Sequence, residues 1–480
     1  MTLTCPLMRP ARRATLIAPF MAALIAALMT ALMTALAPAI ALAQGANPAS
    51  LALPHERFTL PNGLDVILHV DRTVPLVTVY QWFKVGSGDE KPGRTGFAHL
   101  FEHVMFMGSA NVPVGKFDQW LEAAGAQNNG STNQDRTDYY ESGPAHALPL
   151  MLWLDADRMG WLLPTMDQPK LDLQRDVVKN ERRQGVDNAP YGRSNETILA
   201  ALWPAAHPYS WSTIGSMTDL SAAALEDVKD FFRLYYAPNN AILVIAGDFN
   251  PDSARALVTR YFGDVPRNAN TPARSSAAAL PPLAKDTVLV LEDRVQLPRL
   301  SWSWRGVPVG HADEAALDAA AAILGQGKSS RLYRSLVYER QVAQDVNAFN
   351  PTQRIAGYFQ MQGTPKPGVH PRILAAAFDS AVTELAAHGP TARELQRYQN
   401  QVRASVLDGL SSTLGRAQRL GGCLATRNTP DCLATELAEV DRLTPAAVQR
   451  ATERWLAGKG KVVLTVVPNG KTDLAVGGTN

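Results

Sequence analysis

The order of predicted secondary-structure elements in the first half of the chain recurs in the second half, and this repeat limits the folds available to the chain. In the first half, "PLVTVYQWFKVGSG" predicts a strand over residues 76–85, and "TGFAHLFEHVMFMG" predicts the helix that follows. In the second half, "PRLSWSWRGVPVG" and "DEAALDAAAAILG" predict a strand and a helix in the same order. Each half closes with an amphipathic helix followed by an apolar strand. In the first half the strand covers residues 241–246, and in the second half both elements lie within "LTPAAVQRATERWLAGKGKVVLTVVP". We therefore predict an α+β protein of two homologous domains, each a mostly antiparallel sheet backed by helices.

A segment without periodic apolar spacing separates the two halves. Residues 266–285, "PRNANTPARSSAAALPPLAK", are rich in Pro, Ala, Ser and Asn, a composition typical of an interdomain linker. We predict an N-terminal domain over residues 44–265, a C-terminal domain over residues 286–470 and a tail over residues 471–480. A length of 480 residues is enough for two domains that each bury their own core.

The first residues have the pattern of an export signal. Arg9, Arg12 and Arg13 precede an Ala-, Leu- and Met-rich stretch over residues 14–40, and "ALA" at residues 41–43 gives a small-residue cleavage signature. We predict that residues 1–43 are a signal peptide and that the chain is exported to the periplasm. The apolar stretch is longer than usual for a signal and long enough to span a bilayer, so an uncleaved membrane anchor is the alternative.

Cysteine and charge content narrow the kinds of site that an exported chain of this sequence can carry. Cys423 and Cys432 are the cysteines left after the predicted signal, and their spacing allows one disulfide without deciding whether it forms. Two cysteines cannot complete a thiolate zinc site, so zinc would need His and carboxylate ligands. The 46 basic and 44 acidic residues are nearly balanced and include no long basic block, so we expect no nucleic-acid partner.

The five residues "HLFEH" form the strongest candidate site. Residues four positions apart lie on one face of a helix, so His99 and His103 can direct two imidazole nitrogens at a single ion. Glu102 lies on the same face but is poorly placed to bind the ion beside both neighbours, and it fits better as a general base. A catalytic zinc site has about four ligands, one of them water, so a third protein ligand must come from elsewhere in the chain.

The corresponding helix of the second half has no His pair, so we expect metal chemistry only in the first domain. A His-x-x-Glu-His match arises by chance with a probability on the order of one per cent in a chain of this length. The alternative interpretation is a helix whose His residues only pack or form hydrogen bonds, as in a subunit that has kept the motif without activity.

"HLFEH" has the inverzincin spacing, in which Glu precedes the second His. Three further stretches, "NNGSTNQDRTDYY", "QRDVVKNERRQ" and "HPYSWSTIGSMTDL", follow in order. With them the chain resembles the pitrilysin, insulin-degrading enzyme and mitochondrial processing peptidase family over nearly all of its length after the signal. The resemblance implies a zinc metalloendopeptidase with one Zn²⁺ on His99, His103 and Glu181 and with Glu102 as general acid and base. On its own, Glu181 is an ordinary solvated residue of a charged helix.

The resemblance also implies a substrate-binding strand. In this family an edge strand pairs with the backbone of an extended peptide, and "NNGST" matches that strand, which makes Asn129, Gly130, Ser131 and Thr132 candidate substrate-binding residues. Main-chain pairing tolerates varied substrate side chains. Without the resemblance, "QNNGSTNQ" predicts a polar loop.

The chain departs from the family pattern at Gln174. Many relatives carry a second Glu seven residues before the ligand Glu, and Gln174 takes that place here. Seven residues are about two helical turns, so we predict that Gln174 shares a face with Glu181 and orients it by a hydrogen bond.

A second departure lies in the C-terminal half. Active single-chain relatives use an Arg and a Tyr there to grip the substrate carbonyl, and the matching positions in "SLVYERQVAQDVNAF" are Val337 and Gln344. We expect the nearby Arg331 and Tyr333 to pack or to form salt bridges instead. In two-subunit members of the family one chain brings the zinc and the other the Arg/Tyr pair. We therefore predict that this chain cleaves extended or unfolded peptides together with a homologous metal-less subunit.

Two competing functions stay open at the level of the sequence. The first is a non-catalytic structural or assembly subunit that retains a vestigial site, against which the complete set of His99, Glu102, His103 and Glu181 argues. The second is a membrane-tethered peptide-binding protein, which only the long apolar stretch over residues 14–40 supports.

Overall fold

The fold is given by a computed structural model, which describes residues 51–276 and 279–477. The predicted signal peptide, residues 1–43, lies outside the described residues, as do small parts of the predicted linker and tail. The described part of the linker forms neither helix nor strand apart from one isolated bridge at Leu283.

A six-stranded sheet forms the first half of the structure, with the strand order β1-β2-β6-β3-β5-β4. Its strands are β1 (Glu56–Thr59), β2 (Asp65–Val70), β3 (Leu76–Phe83), β4 (Gln127–Thr132), β5 (Thr137–Pro144) and β6 (Ala241–Gly247). β2 and β6 are parallel, and the other neighbours are antiparallel. Gly63, with a φ of 93°, lies in the turn between β1 and β2, where a side chain would be strained.

A five-stranded sheet forms the second half, with the order β7-β11-β8-β10-β9. Its strands are β7 (Thr287–Asp293), β8 (Arg299–Gly306), β9 (Ala343–Phe349), β10 (Gly357–Pro365) and β11 (Val462–Pro468). β7 and β11 are parallel, and the other pairs are antiparallel. This order repeats the order β2-β6-β3-β5-β4 of the first sheet, strand for strand. The predicted fold class of two homologous, mostly antiparallel sheets is therefore confirmed.

The helices of the first half are α1 (Phe97–Val104), α2 (Lys116–Ala123), α3 (Leu148–Trp161), α4 (Gln168–Arg182), α5 (Ser194–Leu202), α6 (Met217–Ala222), α7 (Leu225–Tyr235) and α8 (Pro251–Phe262). All of them except α5 pack into the core on one face of the first sheet. Val77 and Val79 point from β3 into one core with Phe101 of α1, Leu152 of α3 and Phe262 of α8. Alternate residues of a strand face opposite sides of the sheet. The residues that alternate with Val77 and Val79 therefore face the other side, where another helix must pack on them.

The helices of the second half are α9 (Glu314–Gly325), α10 (Arg372–His388), α11 (Ala392–Gly409), α12 (Thr413–Arg427), α13 (Leu433–Asp441) and α14 (Pro445–Trp455). All of them except α12 build an equivalent core on the second sheet. Leu300 of β8 and Phe359 of β10 pack with Leu317 of α9 and Phe378 of α10 in this second core.

Each sheet receives the helix on its other face from the opposite half of the chain. α12 of the second half places Leu420 and Leu424 against Tyr80 and Val244 of the first sheet. α5 of the first half packs in the same way on β8 and β11 of the second sheet. All seven residues of β6 are buried, because apolar helices cover both faces of that strand. The sequence did not predict this exchange of α5 and α12 between the sheets. The domain boundaries at residues 44–265 and 286–470 stay predictions.

Two further properties concern the cysteines and the lengths of the helices. The structure joins Cys423 and Cys432, at the end of α12 and just before α13, by a disulfide with a Cα–Cα distance of 5.4 Å. Within residues 51–276 and 279–477, no helix is both long enough and apolar enough to cross a membrane.

Candidate metal centre

Two carboxylates fix the start of helix α1. Glu90 is buried and accepts hydrogen bonds from Gly96 N at 3.0 Å and Ala98 N at 2.7 Å, which satisfies two free amides of the first turn. Asp219 accepts a hydrogen bond from Thr95 N at 3.0 Å. Gly96 has a φ of 86° and backbone atoms of Ile214 and Gly215 lie against it, so any side chain there would clash. These contacts set the direction in which α1 leaves the preceding loop.

The polar residues of α1 lie on the side of the helix that faces away from the core. Phe97, Leu100, Phe101 and Val104 are buried in the core, whereas His99, Glu102 and His103 are partly exposed. Four apolar residues at helical spacing thus direct three polar ones to the opposite side. The two imidazole rings lie with their centroids 4.9 Å apart, and their planes are close to perpendicular at 87°.

Glu181, near the C-terminus of α4, meets this His pair. Its Oε2 atom lies 3.7 Å from His99 Nε2 and 3.3 Å from His103 Nε2. One ligand atom from each of the three residues lies within 4.8 Å of the others. Two ligands each about 2.0–2.1 Å from one zinc at a tetrahedral angle are about 3.3 Å apart, so this spacing suits a shared ion. Two imidazoles and one carboxylate are also the donor set of a catalytic zinc site.

Burial keeps His99 in the form that binds metals. Desolvation, helped by the neighbouring His103, lowers the pKa of His99 to about 4, so its ring is neutral at neutral pH. A neutral imidazole has a free lone pair for a metal ion, whereas a protonated one has none. Within the described part of the chain, the buried His99 Nδ1 has no hydrogen-bond partner.

Glu102 lies between the His pair and strand β4. Burial raises the pKa of Glu102 to about 7, and a hydrogen bond from Thr132 opposes this rise. In that bond, Thr132 Oγ1 donates to Glu102 Oε2 over 2.6 Å. A carboxyl group with a pKa near neutral pH can both accept and return a proton, which is the property that a general acid and base needs.

Strand β4 forms the edge of the first sheet beside Glu102. Among the described residues it pairs only with β5, with Asn129 opposite Tyr140 and Gly130 opposite Tyr139, so its other backbone edge is free. The polar-loop interpretation of "QNNGSTNQ" is therefore wrong for residues 127–132. A peptide in extended conformation can pair with such an edge.

The four candidate substrate-binding residues of β4 have different surroundings. Asn129 Oδ1 accepts a hydrogen bond from Gly130 N at 2.8 Å, and Ser131 Oγ donates to Asp138 Oδ1 at 2.7 Å. A Cβ atom on Gly130 would lie 3.2 Å from Glu102 Cγ, so Gly is the residue that lets β4 run close to α1. The Thr132 hydroxyl binds Glu102, a contact for which the sequence carries no signal because the two residues are distant along the chain.

Gln174 does not form the predicted hydrogen bond with Glu181. Its Nε2 atom donates to Met107 Sδ at 2.7 Å, just after the C-terminal end of α1. Seven residues of α-helix span about 10.5 Å along the axis, so two side chains on one face at that separation do not reach each other. Gln174 instead links α4 to the segment that follows α1.

The two residues predicted to match the family's Arg/Tyr pair, Val337 and Gln344, carry no guanidinium or phenol group. Val337 is partly buried against the second core, and Gln344 is exposed on β9. Arg331 forms an ion pair with Glu394, with 2.8 Å between Nε and Oε1, and Tyr333 packs on the second core. The expectation that Arg331 and Tyr333 have structural roles is confirmed.

Comparison with known families identifies both halves of the chain. A family model described as "Insulinase (Peptidase family M16)" matches residues 65–208, and one described as "Peptidase M16 inactive domain" matches residues 222–402. The chain is 30% identical over 362 residues to the zinc protease PqqE of Helicobacter pylori, which covers 75% of this chain and 81% of that protein. It is 22% identical over 432 residues to a probable mitochondrial-processing peptidase subunit beta of Arabidopsis thaliana, covering 87% of this chain and 79% of the relative.

Solved structures share the fold. A protease from Helicobacter pylori superposes with a TM-score of 0.81 at 28% identity, over 86% of this chain and 99% of the other. A peptidase M16 inactive domain from Pseudomonas fluorescens gives a TM-score of 0.78 at 19% identity, over 87% and 98% of the two chains. The second likeness concerns the fold alone.

The raised pKa of Glu102 predicts a pH-dependent effect of Glu102→Gln on the stability of the metal-free protein. Below about pH 4.5 the carboxyl group is protonated in both the folded and unfolded chain, and its burial costs little. As the pH rises through 7 the buried carboxyl group of the folded chain must also ionise, which costs desolvation energy. The free energy of unfolding of the wild-type protein therefore falls over this pH range. We expect Glu102→Gln to raise the free energy of unfolding by about 2 kcal/mol at pH 8 and by little at pH 4.

Urea unfolding in the presence of a chelator measures this difference, with Glu122→Gln, an exposed residue of α2, as the control. An equal effect of Glu102→Gln at pH 4 and pH 8 would contradict the assigned burial of the carboxylate.

Proposed function

The chain belongs to the insulinase family, peptidase family M16, and on this premise we propose that it is a zinc metalloendopeptidase that hydrolyses extended or unfolded peptides. The observation that carries the proposal is the meeting of His99, His103 and Glu181 beside Glu102 and a free sheet edge. The competing interpretation, a structural subunit with a vestigial site, requires no such arrangement of chemically competent groups.

His99, His103 and Glu181 would hold one Zn²⁺ ion per chain. When bound, zinc supplies Lewis acidity that polarises a carbonyl group and makes water a stronger nucleophile at neutral pH. Because burial lowers the pKa of His99 to about 4, protons compete little with a metal ion for this one ligand at neutral pH. Glu90 supports the start of α1, and Gln174 contacts the segment that follows its end. These contacts hold the ligands in place before metal binds.

Glu102 is the proposed general base and acid. Its carboxylate takes a proton from the attacking water and, once protonated, gives a proton to the leaving amine, a cycle suited to a pKa of about 7. The hydrogen bond from Thr132 holds the carboxylate at one oxygen and leaves the other available for the proton.

The free edge of β4 is the proposed substrate site. A peptide that adds as a further strand would gain main-chain hydrogen bonds from Asn129 to Thr132, next to Glu102. Folded proteins do not present a free extended backbone, so this mode of binding selects unfolded or extended segments.

Substitution of Glu102 and of Glu181 separates chemistry from metal binding. We expect Glu102→Gln to keep bound zinc and to lower peptide hydrolysis by about 10²–10⁴-fold, because the metal ligands stay while the proton carrier is lost. Glu181→Gln replaces a charged ligand by a neutral amide and should lose both zinc and activity. Elemental analysis of the dialysed protein and cleavage of a fluorogenic peptide, with and without chelator, measure the two effects.

Glu122→Gln, on the exposed surface of α2, is the matched control and should keep both zinc and activity. Wild-type protein that binds no zinc and shows no chelator-sensitive cleavage, with or without a homologous subunit, would favour the structural-subunit interpretation.

The chain is also proposed to work with a homologous subunit that lacks the His pair and carries the Arg/Tyr pair. Val337 and Gln344 support this arrangement, because neither a hydrocarbon nor an uncharged amide can replace a guanidinium and a phenol at the substrate carbonyl. The zinc-bearing half of a shared site would then come from this chain and the carbonyl-binding half from its partner.

Mixing the purified chain with such a subunit should raise kcat/KM for peptide cleavage by at least about 10²-fold. The same subunit with its Arg and Tyr replaced by Ala and Phe should give no increase. If the chain alone cleaves as fast as the mixture, the proposed division of labour is wrong.

Export to the periplasm, with removal of residues 1–43, is the proposed location. The disulfide between Cys423 and Cys432 supports an oxidising compartment. N-terminal sequencing of the mature protein should begin at Gln44 in the soluble periplasmic fraction. Recovery of the full N-terminus in the membrane fraction would instead support the uncleaved anchor.

A further inference from the structure

The turn between β4 and β5, residues 133–136, is held between the two halves of the chain. On the side of the first half, Ser87 N donates to Asn133 O at 3.0 Å and Gly88 N donates to Gln134 O at 2.8 Å. On the side of the second half, Gln353 Nε2 donates to Gln134 Oε1 at 2.6 Å. The end of the proposed substrate strand is therefore in contact with a loop that carries no catalytic group.

Asp135 is the centre of this contact. Its Oδ1 accepts a hydrogen bond from the Tyr209 hydroxyl at 2.7 Å, and its Oδ2 accepts one from Arg354 N at 2.8 Å. The Arg354 guanidinium adds an ion pair, with 3.4 Å between Nε and Oδ1, and Arg274 of the predicted linker donates to the backbone oxygen of Asp135. Only 16% of the Asp135 side chain is exposed, so these charge-assisted bonds form with little competition from water.

Tyr209 connects the same turn to the second half a second time. It belongs to the "HPYSW" stretch, to which the proposed chemistry gives no role, and its side chain is buried. Its hydroxyl donates to Asp135 and accepts a hydrogen bond from Ile355 N at 3.2 Å. Asp135, Tyr209 and residues 354–355 thus form one hydrogen-bonded network across the two halves.

This network lies next to the proposed active site along the chain. Thr132 is the last residue of β4, directly before the turn, and its hydroxyl holds Glu102. Movement of the turn would displace both this hydroxyl and the free backbone edge that extends back to Asn129. The metal ligands belong to α1 and α4, so the same movement would leave them in place.

We propose that the second half of the chain positions β4 through the Arg354–Asp135–Tyr209 network, and that this is its role in the reaction of the first half. Asp135 is a positioning residue, because it acts on the extended peptide and on Glu102 through β4. The catalytic consequence rests on the proposed function, whereas the effect on β4 itself does not.

Hydrogen exchange of the full-length chain tests the structural part without any assay of activity. We expect Asp135→Ala to speed exchange of the backbone amides of residues 127–137 by about tenfold or more, with α3 unchanged. Asp252→Ala, an exposed position in the first turn of α8, is the matched control and should leave both regions unchanged. Unchanged exchange in residues 127–137 overturns the proposal, and so does an equal increase throughout the chain, which would indicate general loss of stability.

Tyr209→Phe removes only the bridging hydroxyl and tests whether the contacts act as one network. Alone it should speed exchange of residues 127–137 less than Asp135→Ala does, and in the Asp135→Ala background it should add nothing. Full additivity of the two substitutions overturns the proposed network. Asp135→Asn keeps one oxygen acceptor and should give an intermediate effect.

Kinetics test the catalytic part once cleavage by the wild-type protein is established. Asp135→Ala should retain wild-type zinc content and lose about 10- to 100-fold in kcat/KM, with a raised KM for a long extended peptide because the pairing edge has moved. Loss of zinc, or kcat and KM that both stay at their wild-type values, overturns the proposed action through β4. If the wild-type chain cleaves no peptide either alone or with a homologous subunit, the proposed function fails while the exchange result still decides the role of Asp135.

Discussion

Burial of one face of helix α1 is the constraint on which the candidate metal centre depends. Phe97, Leu100, Phe101 and Val104 pack into the core of the first sheet, and each contributes about 1.5–3 kcal/mol when fully buried. Because the helix has 3.6 residues per turn, packing of these four residues leaves only the opposite side of α1 for His99, Glu102 and His103. The His pair faces α4 and Glu102 faces β4 as a result, so apolar packing sets the geometry of the candidate metal centre.

The same partial burial produces opposite pKa shifts in neighbouring residues of α1. Removal from water disfavours whichever form is charged, so it lowers the pKa of His99 to about 4 and raises that of Glu102 to about 7. Both shifts suit the proposed roles, since a metal ligand must be neutral and a proton carrier must titrate near neutral pH. Desolvation thus keeps His99 neutral and brings the pKa of Glu102 near neutral pH. The hydrogen bond from the Thr132 hydroxyl limits the rise in the pKa of Glu102.

Short-range pattern was enough to predict the repeated sheets, because strands follow from neighbouring residues. The helical spacing of "HLFEH" likewise predicts a shared face for His99 and His103. The exchange of α5 and α12 between sheets was beyond such reasoning, since an amphipathic helix packs equally well on its own sheet or another. The partner of Gln174 was also missed, because its position on α4 fixes a face but not the element that the face meets.

The second half repeats the helix α1 without its His pair. When the two matching helices are aligned at their final Gly, Ala316, Ala319 and Ala320 of α9 take the places of His99, Glu102 and His103. All three alanines are buried, so these three positions carry no desolvation cost of the kind that the polar residues of α1 carry. The second half contacts the β4–β5 turn through Gln353 and Arg354 instead. Contact with the β4–β5 turn would then be the functional reason to retain a second domain without chemistry of its own.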